Sequence, residues 1–315
     1  STYDSDVNSF MLSEPDISPF ESGSFSFGID RDVSLKEVIE FFKHPSKYLC
    51  TNIYQVRDPY QKDIPVDREP FVLDALESYK VRAFILDGLL QNAEEETVKN
   101  YLSKAGDLPV GTAADYHFSK KKEEISEIAE LVKEKNGNIL ERLEVDLEIG
   151  AYHLRGLLNV NTDGQLILYR PGELKGKYLT TFWLEHLVLN AIQPDSQSEF
   201  IGKGKQMVLN GLNVDEAEKH LLDLISWYAE SKTTDDLYFF PNSSYAFATE
   251  FEKTGEEEKS IKSADKSWYD SYRNTGESLD FYVQLLFRNQ EPLQSNSFKK
   301  LALKFWAPFL KEVSS

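Results

Sequence analysis

Cysteine is nearly absent: Cys50 stands alone among 315 residues. One thiol forms no internal disulfide and cannot supply a Cys-based zinc or iron–sulfur site. The compartment expected from such usage is the reducing cytoplasm. Long apolar runs are missing too. None approaches the ~20 residues needed to cross a bilayer, so no membrane association is expected, and no basic-then-apolar leader opens the sequence. Positive charge is scarce, with 35 Lys and Arg against 53 Asp and Glu, a formal net charge of -18. Phosphate binding rests on clustered Lys and Arg. A chain this acidic is expected to meet DNA only where a larger partner supplies the positive channel, and otherwise to use its charge for solubility. No Gly-x-x-x-x-Gly-Lys-(Ser/Thr) loop is present, so ATP hydrolysis would have to come from partners. No internal repeat is found.

What is present is enough apolar material for a substantial core: 41% hydrophobic and 13% aromatic residues. Residues 1–33 read as an arm or linker carrying Phe10, Phe20, Phe25 and Phe27. Structure is expected over 34–315, in a helical part (34–138), a sheet-containing core (139–230) and a C-terminal helical part (231–315). Ser34-Leu-Lys-Glu37 has the spacing of a capping box, followed by Leu35, Val38, Ile39 and Phe42 on one helical face, with Pro45 as the stop. Prolines 59, 65 and 70 mark a loop, and a helix is expected over about 71–90. A long helix should run to about 135, stopped by Asn136-Gly137, with the glycine free to take positive φ.

From residue 139 the period changes. Leu143, Val145, Leu147 and Ile149 alternate with charges, as in a half-buried strand. Strands over 152–160 and 165–170 should form a hairpin about the turn Thr162-Asp-Gly-Gln165. An apolar helix follows over 177–191, then a strand near 198–209 and a helix capped by Asn213-Val-Asp-Glu216. Residues 231–262 read mostly as loop, with final helices near 264–273, 279–287 and 296–310. The fold class is therefore α/β, a mixed sheet flanked by helices.

The stretch from Arg155 to Gly172 carries the most chemical information. It has the outline of a metal-dependent nuclease hairpin, in which one strand ends in an aspartate and the next bears an acid-x-Lys triplet. Hard Mg²⁺ takes charged oxygen ligands and then activates water and stabilises phosphate charge. Here the acid positions are Asn159 and Leu168, and the lysine position is Arg170. Asparagine offers a neutral oxygen, leucine offers nothing, and a guanidinium is too basic to act as a base. Taken alone the pattern also fits an ordinary β-hairpin. Relocated carboxylates at Asp146, Glu148 or Glu173 would keep an active Mg²⁺-dependent nuclease in play. No pair among His44, His117, His153, His186 and His220 has the i, i+4 spacing of a helical zinc site. Lys120-Lys-Lys122 followed by two glutamates reads as a solvated helix face, and Gly202-Lys-Gly-Lys205 as a kink or hairpin turn. Phe298, Leu301, Phe305 and Phe309 form a core face. Trp306, one step off it, is expected to mark a partner surface.

Several blocks, in order, resemble the C-terminal region of the RecC family, the gamma subunit of the bacterial exodeoxyribonuclease V (RecBCD) helicase–nuclease. They are His44-Pro45 after an aromatic helix, Glu69-Pro-Phe-x-Leu-x-x-Leu-x-x-Tyr79, Ala105-Gly-Asp-Leu-Pro-Val-Gly111, Gly156-Leu-Leu, Leu168-Tyr-Arg-Pro-Gly, and Phe182-Trp-Leu-Glu-His-Leu187. The resemblance spans roughly residues 34–310. It implies a restriction-endonuclease-like, PD-(D/E)XK-type fold that is catalytically degenerate. Active relatives carry a histidine where Gly111-Thr-Ala-Ala-Asp115 places Asp115. The implied partners are RecB-like and RecD-like subunits and single-stranded or forked DNA. ATP and Mg would be used by those subunits, with no cofactor, metal or catalytic residue in this chain. An AddB-type relative is excluded by its need for four cysteines. A pure protein–protein scaffold that never touches DNA remains the third reading, favoured by the acidity.

Overall fold

Two short three-stranded sheets sit among eleven α-helical segments in a computed structural model that describes residues 31–59, 75–109, 111–233, 237–269 and 275–314. The arm with its four phenylalanines, most of the proline-rich loop and the Glu69-Pro-Phe71 block lie outside the described residues. The class is mixed α/β, as expected. Among the described residues no helix is long and apolar enough to cross a membrane.

Strand β1 (Asp32–Ser34) runs directly into α1 (Leu35–Lys43). Leu35, Val38, Phe41 and Phe42 are buried along one side of α1. The expected capping box does not form. Ser34 makes no side-chain cap bond because its backbone is committed to the strand opposite Arg155. Glu37 instead accepts from the Tyr228 hydroxyl at 2.9 Å. Pro45 begins the one-turn helix α2 (Pro45–Tyr48), where a missing N–H costs nothing.

Helices α3 (Ala75–Leu90), α4 (Glu95–Ala105) and α5 (Thr112–Glu134) build a lobe around Val81, Ile85, Leu102, Phe118, Ile125 and Val132. At the end of α5 the left-handed residue is Asn136 (φ 52°), not Gly137. Asparagine tolerates that conformation. Gly137 serves a different need, since a Cβ there would lie 2.7 Å from Ile167.

Strands β2 (Leu140–Ile149) and β3 (Tyr152–Asn161) form a ten-pair antiparallel hairpin about Gly150. The sequence placed the hairpin one strand later. The turn after β3 exists, and Asn161 holds it by accepting from the Asp163 and Gln165 N–H groups at 3.0 and 2.8 Å. The strands it joins then part. β3 pairs with β1 and β2, whereas β4 (Leu166–Tyr169) pairs in parallel with β5 (Ser198–Gly202). Burial explains the separation. Leu166 and Leu168 face one apolar cluster and Ile167 the other, so β4 is apolar on both sides and is sandwiched. β5 turns at Lys203-Gly204 (φ 65° at the glycine) into β6 (Lys205–Leu209), so Gly202–Lys205 is a hairpin turn.

Helix α6 (Gly176–Ile192) crosses from β4 to β5 and is buried on nearly every side. Helix α7 (Val214–Ser231) is capped as expected. Asn213 accepts from the Glu216 N–H at 2.9 Å and donates to the Glu216 carboxylate at 2.8 Å. The expected loop over 231–262 is largely helical, containing α8 (Pro241–Thr254) and the first half of α9 (Glu257–Trp268). Their buried faces use small residues, Ser243, Ser244 and Ala248 on α8 and Ser260 and Ala264 on α9, so the apolar period is faint. Helices α10 (Phe281–Phe287) and α11 (Asn296–Glu312) close the fold. Trp306 is not a partner surface. It is fully buried, with its ring centroid 4.6 Å from that of Phe305 and 5.3 Å from that of Phe309.

Candidate functional site

The nuclease-like positions fall on strands that have separated. Asn159 lies on the exposed face of β3, opposite Arg142. Leu168 lies opposite Phe200 and packs on the large core. An amide on a wet sheet face and an isobutyl group against a core give Mg²⁺ no charged oxygen.

Arg170 extends the β4–β5 ladder through its N–H to the Ile201 carbonyl at 3.0 Å. Its side chain is 9% exposed and fully engaged. The guanidinium lies 3.4 Å from the Tyr178 ring centroid and 5.4 Å from that of Tyr79, and it donates to the Glu173 carbonyl. Such stacking suits a planar, weakly hydrated cation. A second arginine fastens the same loop. Arg82 donates to the Pro171 carbonyl at 3.0 Å and to Ser78 at 2.9 Å, and it lies 3.4 Å from Glu124. Glu124 also collects Lys121 at 3.1 Å and Lys203 at 2.9 Å. Burial pushes this carboxyl up, but the Lys203 and Lys121 bonds outweigh burial and hold it below the usual glutamate value. Arg82 and Tyr178 were not singled out from sequence, and Tyr79 and Glu124 stood out only as parts of a family-like block and of a solvated helix face. Only the fold brings them to the loop.

Asp115 sits exposed in the first turn of α5, paired with Lys99 of α4. Near a helix N-terminus a carboxylate is favourable. Of the relocated acids, Asp146 and Glu148 share the exposed face of β2 and surround His153. That ring bonds Asp146, lies 3.3 Å from Asp32 and 3.9 Å from Glu148. Arg155 adds contacts at 3.4 Å to Asp32 and 3.5 Å to Asp146. The His153 bond leads in holding the Asp146 carboxyl below its usual value. Glu173 belongs to the loop after β4, away from this group in the chain's topology. Among the described residues no set of three or more His, Cys, Asp and Glu side chains is placed to hold a metal ion.

The Trp183-Leu-Glu-His-Leu187 block is built into the core. His186 is fully buried, bonds Ser198 at 2.8 Å and stacks on Trp183. Burial pushes its pKa down to about 4, so it is neutral. Asn190, one turn on, accepts from the Ser196 and Leu212 N–H groups at 3.0 and 2.8 Å. Glu185 faces Lys43, and burial raises its carboxyl to about 7. Glu199, a buried carboxylate on β5, is held by Lys135 at 2.7 Å.

Comparison with known proteins gives a consistent result. The family described as RecC C-terminal domain matches residues 30–252. The RecBCD enzyme subunit RecC of Escherichia coli K12 is 24% identical over 298 residues, covering 90% of this chain and 26% of that protein. Two Buchnera aphidicola proteins of the same name are similar. One is 24% identical over 222 residues (70% of this chain, 20% of the relative) and the other 23% over 291 residues (89% and 27%). The chain thus spans between 20% and 27% of the length of these curated relatives.

Proposed function

Because the chain belongs to the RecC C-terminal domain family, we propose that it is the non-catalytic, nuclease-like part of a RecC-type subunit in a RecBCD-type assembly. In this reading it docks RecB-like and RecD-like subunits and lines a path for single-stranded DNA. The assembly unwinds double-strand ends with ATP and degrades them for recombinational repair. ATP and Mg²⁺ act in the partner subunits, and the setting is the cytoplasm. The fold would be a degenerate relative of PD-(D/E)XK nucleases.

One observation carries the non-catalytic part. None of the three nuclease-like positions offers a charged oxygen: two are engaged in packing, and Asn159 is a neutral amide on an exposed strand face. Leu168 lies against the core, Arg170 is clamped on Tyr178 and Glu173, and Asn159 stands opposite Arg142. A cation fixed by stacking and a carbonyl is unavailable to a reacting phosphate. The net charge of -18 supports a docking role in which the positive walls of any DNA channel come from elsewhere. Co-purification with RecB-type and RecD-type subunits, alongside single-stranded DNA binding at low salt, tests the proposal. Stable capture by the subunits supports docking. DNA binding that appears only with them supports the channel role. No capture by either subunit contradicts the reading.

A further inference from the structure

Two features of the sequence, His44-Pro45 and Phe239-Phe240-Pro241, have no part in the site above, yet they meet. Together with the start of α6 and residues 275–280 they line a cavity of about 250 Å³. The N-termini of α6 and α8 abut there. A Cβ on Gly176 would lie 2.2 Å from the Pro241 carbonyl oxygen, so only glycine permits the approach. Two long helices therefore aim the positive ends of their dipoles at one place.

The carboxylates in the cavity are already engaged. Glu277 accepts from the Asn242 and Ser243 N–H groups, both at 2.9 Å, and from the Ser243 hydroxyl at 2.7 Å. Asp280 pairs with His44 at 3.0 Å and caps α10. The Lys177 N–H donates to Asn242 Oδ1 at 3.1 Å, so what is left over is two lysines and one hydroxyl. Lys43 and Lys177 both line the cavity, and neither makes an ion pair among the described residues, although Lys43 faces Glu185 and Lys177 lies 4.9 Å from the Tyr178 ring centroid. Ser46 also lines it, is 1% exposed, and its hydroxyl has no hydrogen-bond partner among the described residues. A buried hydroxyl without a partner is costly and rare in native proteins.

We propose that this cavity is a phosphate-binding site, in which Lys43, Lys177 and the Ser46 hydroxyl hold the anion beside the joined N-termini of α6 and α8, whose dipoles favour negative charge. It is separate from the nuclease-like positions and does not depend on their being inactive. The phosphate could be free or part of a nucleic-acid strand, since the recognised group is the same.

Calorimetric titration of the whole chain with inorganic phosphate, at constant ionic strength with chloride as control, tests it. Saturable binding with one site per chain is expected. Lys43→Gln and Lys177→Gln should each weaken it at least about fivefold, and Ser46→Ala should weaken it less. Lys311→Gln, far along the sequence on an exposed helix end, should leave it unchanged. Circular dichroism and phosphate-free melting of each variant establish that the fold is kept. Competition separates the sources. If a short single-stranded oligonucleotide displaces phosphate, the strand backbone is the ligand. If only free phosphate binds, the site serves a small anion. Absence of saturable phosphate binding, or binding indifferent to both lysine substitutions, overturns the proposal.

Discussion

Arg170 shows how one side chain can keep its charge and lose its chemistry. Tyr178 and Tyr79 flank its guanidinium, and the Glu173 carbonyl accepts a hydrogen bond from it. Arg170→Lys keeps the charge and should still cost about 1–2 kcal/mol in chemical denaturation, through lost stacking and fork geometry. Glu185 gives a pH signature. Its carboxyl is raised from 4.5 to about 7 in the folded chain. The folded state therefore holds a proton that the unfolded state has released, and stability falls as pH rises through that window. The difference in stability between the native chain and Glu185→Gln should open between these two pH values, reaching on the order of 2–3 kcal/mol in favour of the glutamine variant. His186 works in the opposite sense, because burial lowers its pKa to about 4; acid should destabilise the fold as this ring is forced to charge. The identity of residues 159, 168 and 170 was legible in the sequence. Their surroundings were not, because Tyr79 lies far from Arg170 along the chain and reaches it only through the packing of α3.

At the scale of elements, the same sequence signature had two outcomes. Asn213-x-x-Glu216 caps α7, while Ser34-x-x-Glu37 caps nothing because strand pairing claims its backbone. Strands and the long apolar helix were readable, since strict alternation and an apolar run each leave a strong pattern. The partner of β4 was not, because a short apolar strand pairs wherever both faces can be buried. Helix α8 and the first half of α9 escaped notice because serine and alanine interrupt the apolar residues on their buried sides. Glycines test this packing. Gly176→Ala places a methyl 2.2 Å from a backbone oxygen and should cost about 1–3 kcal/mol as the two helix ends are pushed apart. Gly204→Ala, at φ 65° with nothing within 4 Å, should cost only about 1 kcal/mol of backbone strain. Thermal melting of the pair distinguishes close approach from conformational freedom.

For the molecule as a whole, one sheet is covered on both faces and the other leaves a charged face open. The open face of β2 and β3 gathers Asp32, Asp146 and Glu148 around His153 and Arg155, a paired network in place of a bare acidic cradle. Family membership was legible from the ordered blocks, and one of the more specific, Phe182-Trp-Leu-Glu-His-Leu187, proves to be packed into the core. The proposed non-catalytic role is tested by incubating the purified chain with labelled single-stranded DNA and Mg²⁺ or Mn²⁺, next to Asp146→Asn, Glu148→Gln and Glu173→Gln. Expected is no metal-dependent cleavage above the metal-only background, identical for all four proteins. Robust Mg²⁺-dependent cleavage by the native chain that disappears in any of those variants would contradict it.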